Sequence, residues 1–178
     1  IMLADQAIRT GDADVIVAGG MESMTNSPYL IENARSGQRL GHGKLVDSMI
    51  HDGLWDVYND KHMGNCAEML AAERNFTRQL QDQYAIDSYN KSISAIKNKI
   101  FSTEIVPIEV NQRKGNSIFV MDDEEPGRVK FDKIIKLRPA FASDGTITAA
   151  NASKLNDGAA ALLLMSEQKA NECGLKPI

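Results

Sequence analysis

Three stretches of this chain hold residue types that could do chemistry. The first is His62-Met63-Gly64-Asn65-Cys66-Ala67-Glu68. A histidine beside a glycine at a helix start can place its ring near a ligand. A thiol at a helix N-terminus is also acidified and so more nucleophilic. Yet the helical pattern turns Cys66 inward, and most unpaired cysteines pack rather than react. For His62 a partly exposed surface ring is the commoner outcome. The second stretch is residues 145–158, GTITAANASKLNDG. Ala149, Ala150, Ala152 and Ser153 have so little bulk that a flat or extended ligand can come close to the backbone. Small residues also give clearance in a tight turn, and both roles can coexist. The third is Arg128, Lys130, Lys133, Lys136 and Arg138. Such cations hold phosphates, arginine with a two-pronged grip, although a solvated charged face explains most basic clusters. There is no Ser/His/Asp order, no paired carboxylates at convincing spacing, and no G-x-x-x-x-G-K-[ST] loop. These residues alone imply an anionic ligand groove on an α/β domain, without naming a reaction.

The whole sequence sets bounds on the elements that must position them. Its 178 residues make one large domain or two small ones, enough for a real core. With 43% hydrophobic and 25% charged residues it has the composition of a soluble globular protein. The net charge of −4 argues against general nucleic-acid binding, which needs clustered surplus cations. No apolar run reaches the ~18 residues of a membrane span, and no signal peptide is visible, so no membrane partner is expected. Cys66 and Cys173 lie far apart without CxxC spacing. That disfavours a disulfide framework or zinc site and predicts two small buried or half-buried thiols. A reducing compartment fits, and the expectation is a cytoplasmic protein, with mitochondria as the alternative.

The pattern opens inside a helix. Ile1, Leu3, Ala4, Ala7 and Ile8 make its apolar face, no capping residue precedes it, and Gly11 closes it. The sequence therefore reads as cut from a longer chain at both ends. Val15-Ile16-Val17-Ala18 predicts a buried parallel strand that Gly19-Gly20 ends. Residues 33–44 are polar and basic: a solvated loop, or an arm that packs on another subunit. Helices are predicted over 64–75 and over 78–100, the second capped by Thr77. Period-two alternation predicts short strands at 104–110 and 117–121, with Pro107 favouring an edge, and an acidic turn follows at 122–125. Residues 146–148 look like a strand, and 159–165 like a second buried strand. Ser166 caps a final helix that Gly174 stops. Two buried strands thus bracket a long middle region: a layered α/β domain with an inserted subdomain.

The segments VIVAGGMESM (15–24), HMGNCAE (62–68), LRPAF (137–141) and above all GTITAANASKLNDGAAALLLMS (145–166) resemble the blocks of the thiolase family, in thiolase order. Short-chain acetyl-CoA acetyltransferases are the nearest branch. The resemblance implies the thiolase fold, with this chain forming the latter part of its N-terminal α/β half. Residues 1–21 and 146–178 would belong to that half. Residues 22–145 would form the inserted loop subdomain, with a tetramerisation arm near 33–44. It also implies a reversible Claisen condensation of two acetyl-CoA to acetoacetyl-CoA and CoA through an acetyl-cysteine. The nucleophilic cysteine would lie just before Ile1, and the N-E-A-F, G-H-P and second-cysteine blocks beyond Ile178. No catalytic residue is therefore expected within this chain, which alone should be inactive. Leu54, His62, Met63, Phe141, Ala149, Ala152, Ser153 and Leu155 would line the pantetheine and adenine groove, with Arg128 and Lys133 nearer the nucleotide. Met63 would help to limit the acyl pocket. Potassium-dependent relatives carry a Tyr where this chain has Pro126, so no metal site is expected. No permanently bound cofactor is expected either; the coenzyme A thioester is the substrate. The implied assembly is a homotetramer, a dimer of dimers. The alternatives are a non-catalytic thiolase-like CoA- or lipid-binding protein and a degradative 3-ketoacyl-CoA thiolase.

Overall fold

The computed structural model describes residues 1–178 and divides the chain into two compact units, 1–53 with 155–178, and 54–154.

In the first unit, helix α1 (Met2–Arg9) ends at Thr10, and Gly11 takes the left-handed conformation (φ 77°) that a helix exit of this kind requires. Of its expected apolar face only Ala4 is buried, and Leu3 is 80% exposed. Strand β1 (Val15–Ser23) pairs along its full length with β8 (Asp157–Met165). Two expectations are corrected here. The pairing is antiparallel, and the strands are largely open: Val17 is 70% and Leu163 58% exposed. A continuous apolar run signals two covered faces, but with α1 packed on the pair both strands still stay largely open. Nor do Gly19-Gly20 end the strand. The ladder runs through them to Ser23↔Asp157, and a Cβ on Gly19 would lie 2.4 Å from the Ala160 carbonyl oxygen. That glycine serves close approach of two backbones, not a turn. Asp157 then accepts from Thr25 N–H at 2.9 Å. Strands β2 (Tyr29–Ile31) and β3 (Leu45–Asp47) form a hairpin whose long exposed tip includes residues 33–44 and a short 3-10 turn, Ala34–Ser36. Buried Ser48 closes its base by donating to the Pro28 carbonyl at 2.6 Å. The last helix, α6 (Glu167–Glu172), is capped by the Ser166 hydroxyl and left through Gly174 (φ 65°), as the sequence predicts. Cys173 is exposed, not buried as expected, because it sits just past the end of this short helix.

The second unit follows a π-helical segment, Met49–Leu54, that periodicity does not reveal. A two-residue hairpin, β4 (Trp55–Asp56) and β5 (Lys61–His62), leads into α2 (Met63–Glu73). Helix α3 (Arg78–Lys97) is capped by the Thr77 hydroxyl accepting from Leu80 N–H. Strands β6 (Ile108–Val110) and β7 (Ile118–Val120) pair as an isolated two-stranded ribbon, so both are edges, as Pro107 implies. The acidic stretch is not a turn. It opens a short helix, α4 (Glu124–Arg128), capped by Asp123, and buried Pro126 fits its first turn, where a missing N–H costs nothing. A further short helix, α5 (Phe131–Ile134), buries Ile134. Residues 146–148 form no strand. Ile147 and Thr148 are nonetheless among the most buried residues of the unit. No helix is long and apolar enough to cross a membrane.

Candidate functional site

The candidate site is assembled in the second unit around the N-terminus of α2. His62 is the N-cap residue of that helix: its Nδ1 accepts from Gly64 N–H at 2.9 Å. This bond fixes the ring, and in the neutral imidazole it leaves the proton on Nε2. The ring stacks on Phe141, with centroids 5.0 Å apart and planes 23° from parallel. Gly64 makes that stack possible, since a Cβ there would lie 2.3 Å from the Phe141 ring. Asn65 Nδ2 donates to the Phe141 carbonyl at 3.0 Å, tying the 137–141 segment to α2. Trp55 pairs with His62 across β4 and β5, which places half-buried Leu54 one residue from the ring's hairpin partner. Cys66 Sγ lies 3.7 Å from Asp56 Oδ2, within a loop whose carboxylate is held below its ordinary pKa chiefly by the Asn59 side-chain amide. The base beside the thiol is this carboxylate, and its lowered pKa makes it a weak proton acceptor, so Cys66 reads as a packing residue.

The turn after residue 145 is held by side chains rather than by a sheet. The Glu68 carboxylate accepts from Thr146 N–H (2.9 and 2.8 Å), Thr146 Oγ1–H (3.0 Å) and Ile147 N–H (2.8 Å). One side chain thus takes the donors that a neighbouring strand would otherwise satisfy. Ala140 N–H donates to the Ile147 carbonyl, joining this segment to the one that carries Phe141. Asn151 folds back beneath the turn: its Oδ1 accepts from Thr148 N–H at 2.7 Å, and its Nδ2 donates to the Thr146 carbonyl and to Asp82. Asp82, 4% exposed, also pairs with Arg78 at 2.7 Å, and Arg78 donates to the Ile134 carbonyl. The Thr148 hydroxyl, wholly buried, accepts from Ala150 N–H. With the inner side so occupied, Ala149 and Ser153 face solvent and Ala152 is half-buried.

At the far end of the turn the Lys154 ammonium meets Glu125 at 3.1 Å and donates to the Ala149 carbonyl, while the Tyr89 hydroxyl donates to Glu125 at 3.0 Å. The bond from Lys154 holds the Glu125 carboxyl below its usual range. Burial opposes the Lys154 charge, but its bonds to Glu125 and Tyr89 outweigh that and hold its pKa up. Burial, and then the Glu125 carboxylate, push the Tyr89 phenol up.

Of the sequence-predicted residues, His62 and Phe141 are in direct contact, Met63 follows on α2, and Ala149, Ala152 and Ser153 share the turn. Arg128 is exposed and paired with Glu124 at 2.7 Å, and Lys133 is exposed on α5. Leu155, 62% exposed, is the first residue of the other unit's return segment. Composition and spacing do not mark Glu68, Asp82 and Asn151 as the structural anchors they are. Two of them stand inside quoted blocks, and a carboxylate or amide beside small residues was the available signal. A hollow of about 450 Å³, lined by Glu68, Ala72, Phe76, Ala142, Asp144 and Thr146, adjoins the same anchors. No group of three or more His, Cys, Asp or Glu is placed to hold a metal.

Comparison with known proteins agrees with this architecture. A solved structure of an acetyl-CoA acetyltransferase from Syntrophomonas wolfei superposes with a TM-score of 0.89 at 42% identity, covering 99% of this chain and 44% of that one. The arrangement is thus part of an α/β thiolase fold. The family described as Thiolase, N-terminal domain, matches residues 1–168, and the chain belongs to the thiolase family. Among curated relatives, the acetyl-CoA acetyltransferase of Pseudomonas aeruginosa is 55% identical over 174 residues, 97% of this chain and 44% of that protein. A probable acetyl-CoA acyltransferase of Staphylococcus aureus is 49% identical over 179 residues, 100% of this chain and 46% of that protein. The chain therefore spans less than half the length of the curated relatives it matches.

Proposed function

We propose that this chain is the coenzyme A-holding part of an acetyl-CoA acetyltransferase, which condenses two acetyl-CoA reversibly to acetoacetyl-CoA and CoA. The observation that carries this reading is the turn at 148–153. Thr148 and Asn151 are committed inward, and the outer surface is Ala149, Ser153 and backbone. Such a wall admits a narrow extended arm without steric cost. Thr148, Asn151 and Glu68 hold the wall; Ser153 and Ala149 form it, with Ala152 alongside. The His62–Phe141 stack supplies an apolar ledge with one N–H donor at Nε2, and Leu54 and Met63 extend it. Arg128 and Lys133 are the cations we assign to the nucleotide phosphates, where an ion pair with Glu124 would be exchanged for one with phosphate.

The relatives named as acetyl-CoA acetyltransferases support the substrate class, and no permanent cofactor is invoked. The thiolate chemistry belongs to other segments of the complete protein; this chain's part is orientation, and oriented binding lowers the barrier for the reacting carbons. Residues 22–145 are proposed as a subdomain inserted in the N-terminal half. The exposed tip of the β2–β3 hairpin is proposed as the arm that joins subunits into a tetramer. The test is Ser153→Phe in the complete enzyme. A ring at this position fills the groove, so KM for acetyl-CoA should rise at least about tenfold, with kcat affected less. Unchanged steady-state constants would remove Ser153 from the groove.

A further inference from the structure

Lys154 does work that neither the fold nor the groove lining accounts for. The Thr148 and Asn151 side chains bond within the turn or to Asp82 of α3, and Glu68 of α2 holds the backbone that leads into it. The Ala149 carbonyl is different: its partner is the Lys154 ammonium, five residues on. That ammonium is itself fixed by Glu125 of α4 at 3.1 Å, and Glu125 by the Tyr89 hydroxyl of α3 at 3.0 Å. The Lys154 and Glu125 side chains are 29% and 34% exposed, so the pair is sheltered but reachable. Tyr89 is steadied in turn by an edge-on contact with Phe131, centroids 6.3 Å apart. A relay of Tyr89, Glu125 and Lys154 therefore ends on the Ala149 carbonyl.

We propose that Lys154 is a positioning residue. Its ammonium, anchored by Glu125 and Tyr89, clamps the Ala149 carbonyl and so pre-orders the stretch 149–153 that presents Ser153 to the coenzyme. This deepens the reading of the groove given above and rests on it for the kinetic arm of the test. The physical effect is pre-organisation: a turn already ordered before binding spares the ligand the cost of ordering it. An effect of that kind appears in KM for acetyl-CoA and leaves the chemical step alone. The shifts of Glu125 and Lys154 toward their charged forms agree with a standing ion pair.

The experiment compares wild type, Lys154→Met, Lys154→Arg and Glu125→Gln in the complete protein by two readouts. Amide hydrogen exchange without ligand should quicken at 149–153 in Lys154→Met and be restored in Lys154→Arg, whose guanidinium can bridge the same carboxylate and carbonyl. In steady-state kinetics, KM for acetyl-CoA should rise about tenfold in Lys154→Met, less in Glu125→Gln, with kcat within about twofold. A fold-stabilising role alone would lower the melting temperature and active fraction and leave KM in place. Exchange at 149–153 equal to wild type in a folded Lys154→Met protein overturns the clamp, as does an unchanged KM. A wild-type protein without acetyltransferase activity would sink the proposed function instead, and the exchange readout would still decide the clamp.

Discussion

Glu68 offers the sharpest energetic test of how the site is built. Replacing it with alanine removes the acceptor for Thr146 N–H, Ile147 N–H and the Thr146 hydroxyl at once. The hydroxyl can turn elsewhere; the two backbone donors cannot. Ile147 is 8% exposed and its neighbour Thr148 fully buried, so water is a poor replacement there. Each orphaned donor costs about 1–3 kcal/mol. Thr146 is half-buried and takes the low end, which puts the sum at about 2–4 kcal/mol. Glu68→Gln keeps one carbonyl acceptor but turns an amide toward Thr146 N–H, and should lose roughly half as much. The assay pairs denaturant titration with amide exchange at Thr146 and Ile147. Glu73→Ala on the same helix is the control: its pair with Arg74 is 69% and 64% exposed, and it should shift stability by less than about 0.5 kcal/mol. If Glu68→Ala behaves like that control and the two amides stay protected, the side chain does not replace a strand.

Gly64→Ala should destabilise by about 1–3 kcal/mol, because the new methyl overlaps the Phe141 ring and the His62 stack must open; thermal melting checks this, and a melt unchanged within a degree contradicts the packing. Acid sensitivity tests the Glu125 pair. Its folded pKa lies below the ordinary value of 4.5, so its contribution is full above that pH and is lost as pH falls through the folded value. Glu125→Gln should therefore flatten the acid limb of the stability curve, measured from pH 6 down to about pH 3, and an unchanged limb would argue against the ion pair. At the alkaline end the raised Lys154 pKa acts in the opposite sense, its contribution being full below 10.5 and fading as pH rises beyond it.

Local chemistry explains which parts of this were legible. Thr77, Ser166 and the glycines at 11 and 174 mark helix ends because capping and left-handed exits depend on a few neighbouring atoms. The apolar runs at 15–18 and 159–165 reveal strands but not their partner: hydrophobicity records that a face can be covered, and says nothing of what covers it or in which direction the neighbour runs. The buried face of α3 is hidden from its apolar residues for a related reason. Leu80 and Tyr84 draw the eye, yet they are 60% and 79% exposed, while Arg78, Asp82 and Ala85 turn inward. A polar core held by paired charges leaves no apolar stripe to read. Residues 146–148 looked like a strand because extended backbone and buried side chains are shared by strands and by side-chain-anchored segments. Only the long-range partner, Glu68, tells them apart.

If the alanine-serine turn and the His62 ledge hold the coenzyme, both must be shielded when it binds. Amide exchange of the complete protein with and without saturating CoA addresses this directly. Protection is predicted at 149–153 and at the start of α2, with the open ends of β1 and β8 unaffected. Saturable CoA binding that leaves both segments exchanging as in the free protein would contradict it.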